Sequence, residues 1–311
     1  MIEVQELRKS YNGVPALRGF NLRVEAGELF GLVGPNGAGK TTLIKILATL
    51  LRPDGGRAVL AGHDVVREPR AARRLMGYLP DVPGLYQDMR VVEFLEFFAD
   101  AFHLAREQKR LAVEGALELA GLADRRTAYV EELSLGFKQR LVLAKTLLHK
   151  PKVLLLDEPA TGLDPLARIE LRDLLKKLNA AGVTLLISSH ILSDLEDICS
   201  RVALIASGRN AADAEGQTVL VLRGAAVMAL SCEIEVMDGA EQAASAIASF
   251  AGATLAETQG AVLRAEVSGG MTQAAALLRH LVSSGVTVVR FDPRGPALED
   301  RYRKTFGGER P

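Results

Sequence analysis

"GPNGAGKTT", residues 34 to 42, carries Gly34, four intervening residues, then Gly39, Lys40 and Thr41. An aliphatic run, "ELFGLV" (28–33), leads into it, and "TTLIKILATLL" leads out with a helical pattern. A strand that ends in a glycine-rich turn and opens a helix forms an anion site. The loop Gly34, Pro35, Asn36, Gly37, Ala38 and Gly39 can curl its backbone N–H groups around phosphate oxygens, and the helix start adds partial positive charge. In this pattern Lys40 reaches the β- and γ-phosphates of a nucleotide, Thr41 offers its hydroxyl to Mg²⁺, and Thr42 continues the helix beside them. With glycine near 7% of residues, a chance match in this length is roughly a one-in-a-hundred event.

Such a site needs a carboxylate at the end of a neighbouring strand, and "VLLLDEP" (153–159) supplies it. Val153 to Leu156 read as a buried strand with Asp157 emerging at its carboxyl end, where open α/β sheets place ligands. Asp157 is the candidate holder of Mg²⁺, and Glu158 is the candidate base that polarises the attacking water. "VTLLISSH" (183–190) is a third aliphatic run and brings His190 to the same edge, within reach of a γ-phosphate. Near-continuous runs of this kind suit strands buried on both faces of a mostly parallel sheet. The expected fold class is α/β.

Around this site the chain is long and electrically balanced. Its 311 residues favour two domains over one. Lysine plus arginine and aspartate plus glutamate number 38 each, a balance that argues against nucleic acid as the main partner. The two cysteines, Cys199 and Cys232, read as reduced, buried thiols of a reducing compartment. No apolar run approaches the roughly 18 residues of a membrane helix. "MIEVQELRKSY" has no signal-peptide core. The expectation is a soluble, cytoplasmic chain that reaches a membrane only through a partner.

Residues 91 to 150 read as helix after helix, an insertion in the α/β domain. After about residue 212 the composition changes: no lysine falls between Lys177 and Lys304, and alanine is dense. "LSCEIEV" (230–236) alternates apolar Leu230, Cys232, Ile234 and Val236 with polar residues, as a half-buried strand does. A helix near 240–250, strands at 253–258 and 261–268, a helix at 271–284 and "VTVVRF" (286–291) complete a β-α-β-β-α-β order, the ferredoxin-like arrangement. "ALEDRYRKTF" (297–306) suggests a last helix with Leu298, Tyr302 and Phe306 in one stripe.

"LSLGFKQR" (133–140) stands between the first two motifs, ahead of the histidine. Alone it is the start of a surface helix, with Ser134 placed as its N-cap. In order and spacing, however, the whole set resembles the ATP-binding cassette (ABC) family over residues 1 to about 210. "GPNGAGKTT" is similar to that family's Walker A motif, "VLLLDEP" to Walker B, "LSLGFKQR" to the signature, "TGLD" with Asp164 to the D-loop, and His190 to the switch histidine. Tyr11 lies at the adenine-stacking position. The signature usually reads L-S-G-G-Q. Ser134 and Gly136 are kept here, while Leu135 and Phe137 replace a glycine and the glutamine. In "YLPD" Asp81 stands where the family commonly has glutamine, near Mg²⁺ and the nucleophilic water.

The resemblance implies a P-loop NTPase cassette at 1–212, with a helical subdomain at about 82–150, and a small α+β accessory domain at 217–311. It implies ATP and Mg²⁺ as cofactors and a transport-coupled ATP hydrolase. The chain looks like the separate ATP-binding subunit of the exporter branch, paired with a second, identical ATP-binding subunit. It would act on a transmembrane permease subunit at the inner face of the cell membrane. The alternative is a soluble ABC ATPase acting on nucleic acid or ribosomes. Zero net charge, a single cassette and the lack of long heptad runs speak against it. A GTPase would need an N-K-x-D guanine-reading motif, which the sequence lacks.

Overall fold

Ile2, Val4 and Leu7 are buried on the first strand, β1 (Ile2–Tyr11), while most residues between and beyond them face water. The step from Val4 to Leu7 breaks the two-residue period, and the register shifts there, with Glu6 at φ 46°. This β-bulge turns Leu7 back toward the core. Paired with β2 (Val14–Val24), β4 (Gly55–Leu60) and β5 (His63–Asp64), β1 forms an antiparallel sheet of order β2-β1-β4-β5. This computed structural model describes residues 1–311 except 83, 191–194, 197, 213–217, 222–228 and 295–311. The chain divides into two compact units, 1–212 and 213–311.

The second sheet of the first unit contains the aliphatic runs. Every residue of β3 (Leu29–Val33), β7 (Val153–Asp157) and β8 (Thr184–Ser189) is buried. Strands covered on both faces need no alternation, which is why these runs read as continuous. With β6 (Met76–Leu79), β9 (Arg201–Ala206) and β10 (Arg209–Asn210) the order is β10-β9-β3-β8-β7-β6. From β9 to β6 all neighbours are parallel, so the carboxyl ends of β3, β8, β7 and β6 share one edge.

Helices α1 (Lys40–Leu47), α2 (Pro69–Leu75) and α6 (Pro165–Ala180) belong to the same unit. Between β6 and β7 lie α3 (Val91–Ala101), α4 (Arg106–Leu119) and α5 (Leu135–Leu147), as the helical pattern anticipates. They share a core of their own that includes Phe94, Leu95, Leu117 and Leu141.

The second unit begins with the short strand β11 (Val219–Val221). It continues through β12 (Ala229–Val236), α7 (Ala240–Ser249), β13 (Ala253–Gln259), β14 (Val262–Ser268), α8 (Gly270–Ser283) and β15 (Val288–Arg294). From β12 onward this is the β-α-β-β-α-β order, with sheet order β13-β14-β12-β15 and antiparallel neighbours throughout. Leu230, Cys232, Ile234 and Val236 all lie in its core against Ile247, Leu277 and Leu281. The last strand starts two residues later than expected, because Gly285, at φ 81°, closes α8 and the chain must turn before pairing. The stripe of Leu298, Tyr302 and Phe306 lies outside the described residues. Both cysteines are buried, and among the described residues no helix is long and apolar enough to cross a membrane.

Candidate functional site

The shared edge of the parallel sheet opens into a cleft of about 320 Å³. Residues Asn36 to Thr42 form one wall, and Asp81, Glu158 and His190 face them, with Ala16 and Thr161 at the rim. Each arrives from a strand end: the loop from β3, Asp81 from beyond β6, Glu158 from β7 and His190 from β8. The loop is held to the sheets by its own backbone. Gly39 sits at φ 109°, and a Cβ there would stand 2.6 Å from the Ala16 carbonyl oxygen. No side chain caps α1, so its first N–H groups remain open to an anion.

Lys40 is 5% exposed, which is unusual for an ammonium and requires oxygen partners. Its Nζ donates to the Gly34 carbonyl at 2.7 Å and the Pro35 carbonyl at 3.2 Å. Glu158 Oε1 lies 3.4 Å from the same nitrogen. The loop thus bends its lysine back over its own mouth and toward the carboxylate.

Glu158 adopts φ 49°, a left-handed backbone that a residue with a side chain holds only under constraint. Its N–H donates to Ser188 Oγ at 3.0 Å. Its Oε2 lies 2.7 Å from His190 Nδ1 and accepts from the His190 backbone N–H at 3.3 Å. With Glu158 ionised, this geometry puts the imidazole proton on Nδ1 and leaves Nε2 as the acceptor.

Asp157 is 1% exposed. Its Oδ1 accepts from Ser188 Oγ at 2.7 Å and from Thr41 Oγ1 at 3.3 Å. Its Oδ2 is buried with no hydrogen-bond partner among the described residues. Burial raises its carboxyl above the ordinary aspartate value. The two hydroxyls pull it back in part, and the charges of Asp81 and Glu158 push it further. Tyr78 senses the same negative field: burial, then Asp157 and Asp81, push its phenol up to about 12.

The other sequence candidates lie elsewhere. Ser134 is the exposed N-cap of α5, and its Oγ accepts from the Phe137 N–H at 3.5 Å. Phe137, in the place of the family's glutamine, packs on the helical core with Arg125 and Arg140 each 4.3 Å from its ring centre. Gly136 faces α6 closely, since a Cβ there would lie 3.0 Å from Ala167 Cβ. Asp164 caps α6 by accepting from the Ala167 N–H at 2.9 Å. Tyr11 ends β1, is 46% exposed as a residue, and is not among the residues lining the cleft. Sequence reasoning missed Ser188, which joins Asp157 to Glu158. Its signal was the parallel register that pairs it with Asp157, which no single strand reveals.

Comparison with known proteins places the chain in a family. The family described as ABC transporter matches residues 17–161. The daunorubicin resistance ATP-binding protein DrrA3 of Streptomyces coeruleorubidus is 35% identical over 99% of this chain and 96% of its own length. The Nod factor export ATP-binding protein I of Burkholderia thailandensis is 41% identical over 70% of this chain and 72% of its own. Among solved structures, the dimeric structure of MJ0796, a bacterial ABC transporter cassette, aligns with a TM-score of 0.64 at 25% identity, over 72% of this chain and 100% of that one. With a relative 35% identical along almost its whole length, this chain belongs to the ABC transporter family as one of its ATP-binding cassettes.

Proposed function

We propose that this chain is the ATP-hydrolysing subunit of an exporter, working as a pair of cassettes on a transmembrane permease at the inner face of the membrane. The observation that carries the reading is the division of the site residues. Lys40, Thr41, Asp157, Glu158 and His190 converge on one cleft, whereas Ser134 and Asp164 stand on the surface outside it. A serine-capped helix start with open N–H groups is itself an anion site. Facing a second copy, it would close on the phosphate that the copy's P-loop holds. The relatives' names, daunorubicin resistance and Nod factor export, support export over action on nucleic acid.

Within the cleft the loop N–H groups and Lys40 bind the phosphates. Glu158 takes the proton of the attacking water, and His190 orients Glu158 through its Nδ1–H. The donors present fit Mg²⁺: Thr41 and Asp157 offer hard oxygens, and the unpartnered Asp157 Oδ2 lacks a positive neighbour. When bound, Mg²⁺ supplies charge neutralisation on the phosphates. Asp81 adds a carboxylate on the same side and would act toward the metal and its water. The second unit serves as an accessory, dimer-supporting domain.

Coexpression with a six-span permease, sought first among the genes beside its own, tests the reading. The chain should then fractionate with membranes, and without the permease it should not. Recovery that ignores the permease would overturn it. A second measurement concerns the base. Tyr11→Ala should weaken ATP binding by about 1–3 kcal/mol if the exposed ring stacks on adenine. Equal affinities would make Tyr11 a surface residue.

A further inference from the structure

We propose that Gln139 is a positioning residue for hydrolysis, tying the signature helix to the peptide beside the catalytic carboxylate. The proposal rests on the assignment of Glu158 as the base. Gln139 is 4% exposed, and its Nε2 donates to the Pro159 carbonyl at 2.8 Å. Pro159 is buried and has no N–H, so its carbonyl is the one polar backbone handle at that residue. A long amide in a buried position, spent on a carbonyl 20 residues away, is costly unless the bond is made.

Two other contacts hold α5 against α6. Gly136 allows the close approach to Ala167, and Arg140 pairs with Glu170 at 3.3 Å. Of these, Gln139 is the one that reaches the peptide adjoining Glu158. That peptide matters because Glu158 keeps its left-handed backbone only while both flanks are fixed. Ser188 holds the N–H of Glu158 itself, and Gln139 holds the carbonyl of the next residue.

At 1.5 Å of rise per residue, Ser134 and Gln139 lie about 7.5 Å apart along one rigid helix. An anion that draws on the start of α5 therefore displaces the same rod that holds Pro159. In a pair of cassettes, the start of α5 serves the partner's nucleotide while Glu158 serves the chain's own. Gln139 makes the alignment of one base depend on the occupancy of the other site.

The test uses the full chain and three variants. Gln139→Met keeps the side-chain length but has no donor. It should lower kcat about ten- to a hundredfold with KM for ATP unchanged, since a small misplacement of a reacting group costs on that order. Gln139→Glu should be as slow at pH 8, but its kcat relative to wild type should rise as pH falls. A protonated carboxyl can donate to Pro159 again, whereas Gln139→Met should show a flat ratio. Arg140→Met removes the α5–α6 ion pair and should leave kcat near wild type. If Gln139→Met does not fold, the pH ratio of Gln139→Glu decides. An unchanged kcat in Gln139→Met, a flat ratio in Gln139→Glu, or an equal loss in Arg140→Met would overturn the proposal. An unchanged Glu158→Gln enzyme would instead remove the base assignment beneath it.

Discussion

Glu158→Gln should lower ATP hydrolysis about 10²- to 10⁴-fold, the scale of a general base, and should bind ATP more tightly than wild type. The first part follows from chemistry. Glutamine keeps the shape and can still meet His190, but it cannot take a proton from water. The second part follows from the 3.4 Å pair between Lys40 and Glu158, both side chains being largely buried. In wild type, phosphates compete with Glu158 for the lysine. A neutral amide competes less, so the lysine is free for the nucleotide. Phosphate release gives the first quantity, and titration with a fluorescent ATP analogue gives the second. Because hydrolysis resets the pair of cassettes, the variant should also accumulate as ATP-bound dimers in size-exclusion chromatography. Unchanged turnover would reject Glu158 as the base. Weaker ATP binding would show that its charge organises the cleft rather than competing within it.

The parts of this site that were legible in the sequence are those encoded within one strand and its following loop. Gly39, Lys40 and Thr41 follow β3 directly, and Asp157 and Glu158 follow β7, so order along the chain equals order in space. Ser188 was not legible, because its role arises from the register between β7 and β8. The antiparallel sheet of β1, β2, β4 and β5 was also not anticipated. Its alternation is broken by the bulge at Glu6, and its last strand has only two residues. In the second unit the alternation of Leu230, Cys232, Ile234 and Val236 is unbroken, and there the strand order could be read directly. Ser134 could be read as a cap, and it is one. Only the family resemblance joins that surface helix start to a phosphate, because within one chain the P-loop lies in a separate cleft that Ser134 does not line. Gly136 shows a different limit. Its motif suggests phosphate approach, while its closest neighbour is the Ala167 methyl.

Asp157→Asn should separate the needs of the fold from those of the reaction. A carboxylate that is 1% exposed, with one oxygen unpartnered, is unfavourable to bury in the charged form. Its pKa is accordingly raised above 3.8 by desolvation, beyond what the Ser188 and Thr41 hydroxyls recover. For an acid whose folded pKa is raised, the folded state holds its proton more tightly than the unfolded chain does. Its stabilising contribution is full below 3.8 and is lost as pH rises through the folded value. Asparagine can still accept from Ser188 and never ionises. In EDTA and without nucleotide, the melting temperature of the variant should therefore exceed that of wild type at neutral pH, and the gap should narrow as pH falls toward 4. With ATP and Mg²⁺ the order should reverse. Ligand binding stabilises wild type by mass action, and a variant lacking the charge should lose most of that gain. Its hydrolysis should fall about 10²- to 10³-fold, the equivalent of losing several kcal/mol of charge neutralisation in the transition state. Thermal melts across pH, with EDTA or with Mg²⁺ and ATP, read both halves independently of turnover. If the variant is less stable than wild type in EDTA at neutral pH, Asp157 is a structural carboxylate. If it keeps the full Mg²⁺-dependent rise in melting temperature, the metal is held elsewhere. The unfavourable burial of Asp157 has a functional reason only if the protein becomes more stable without its charge and less able to use ATP.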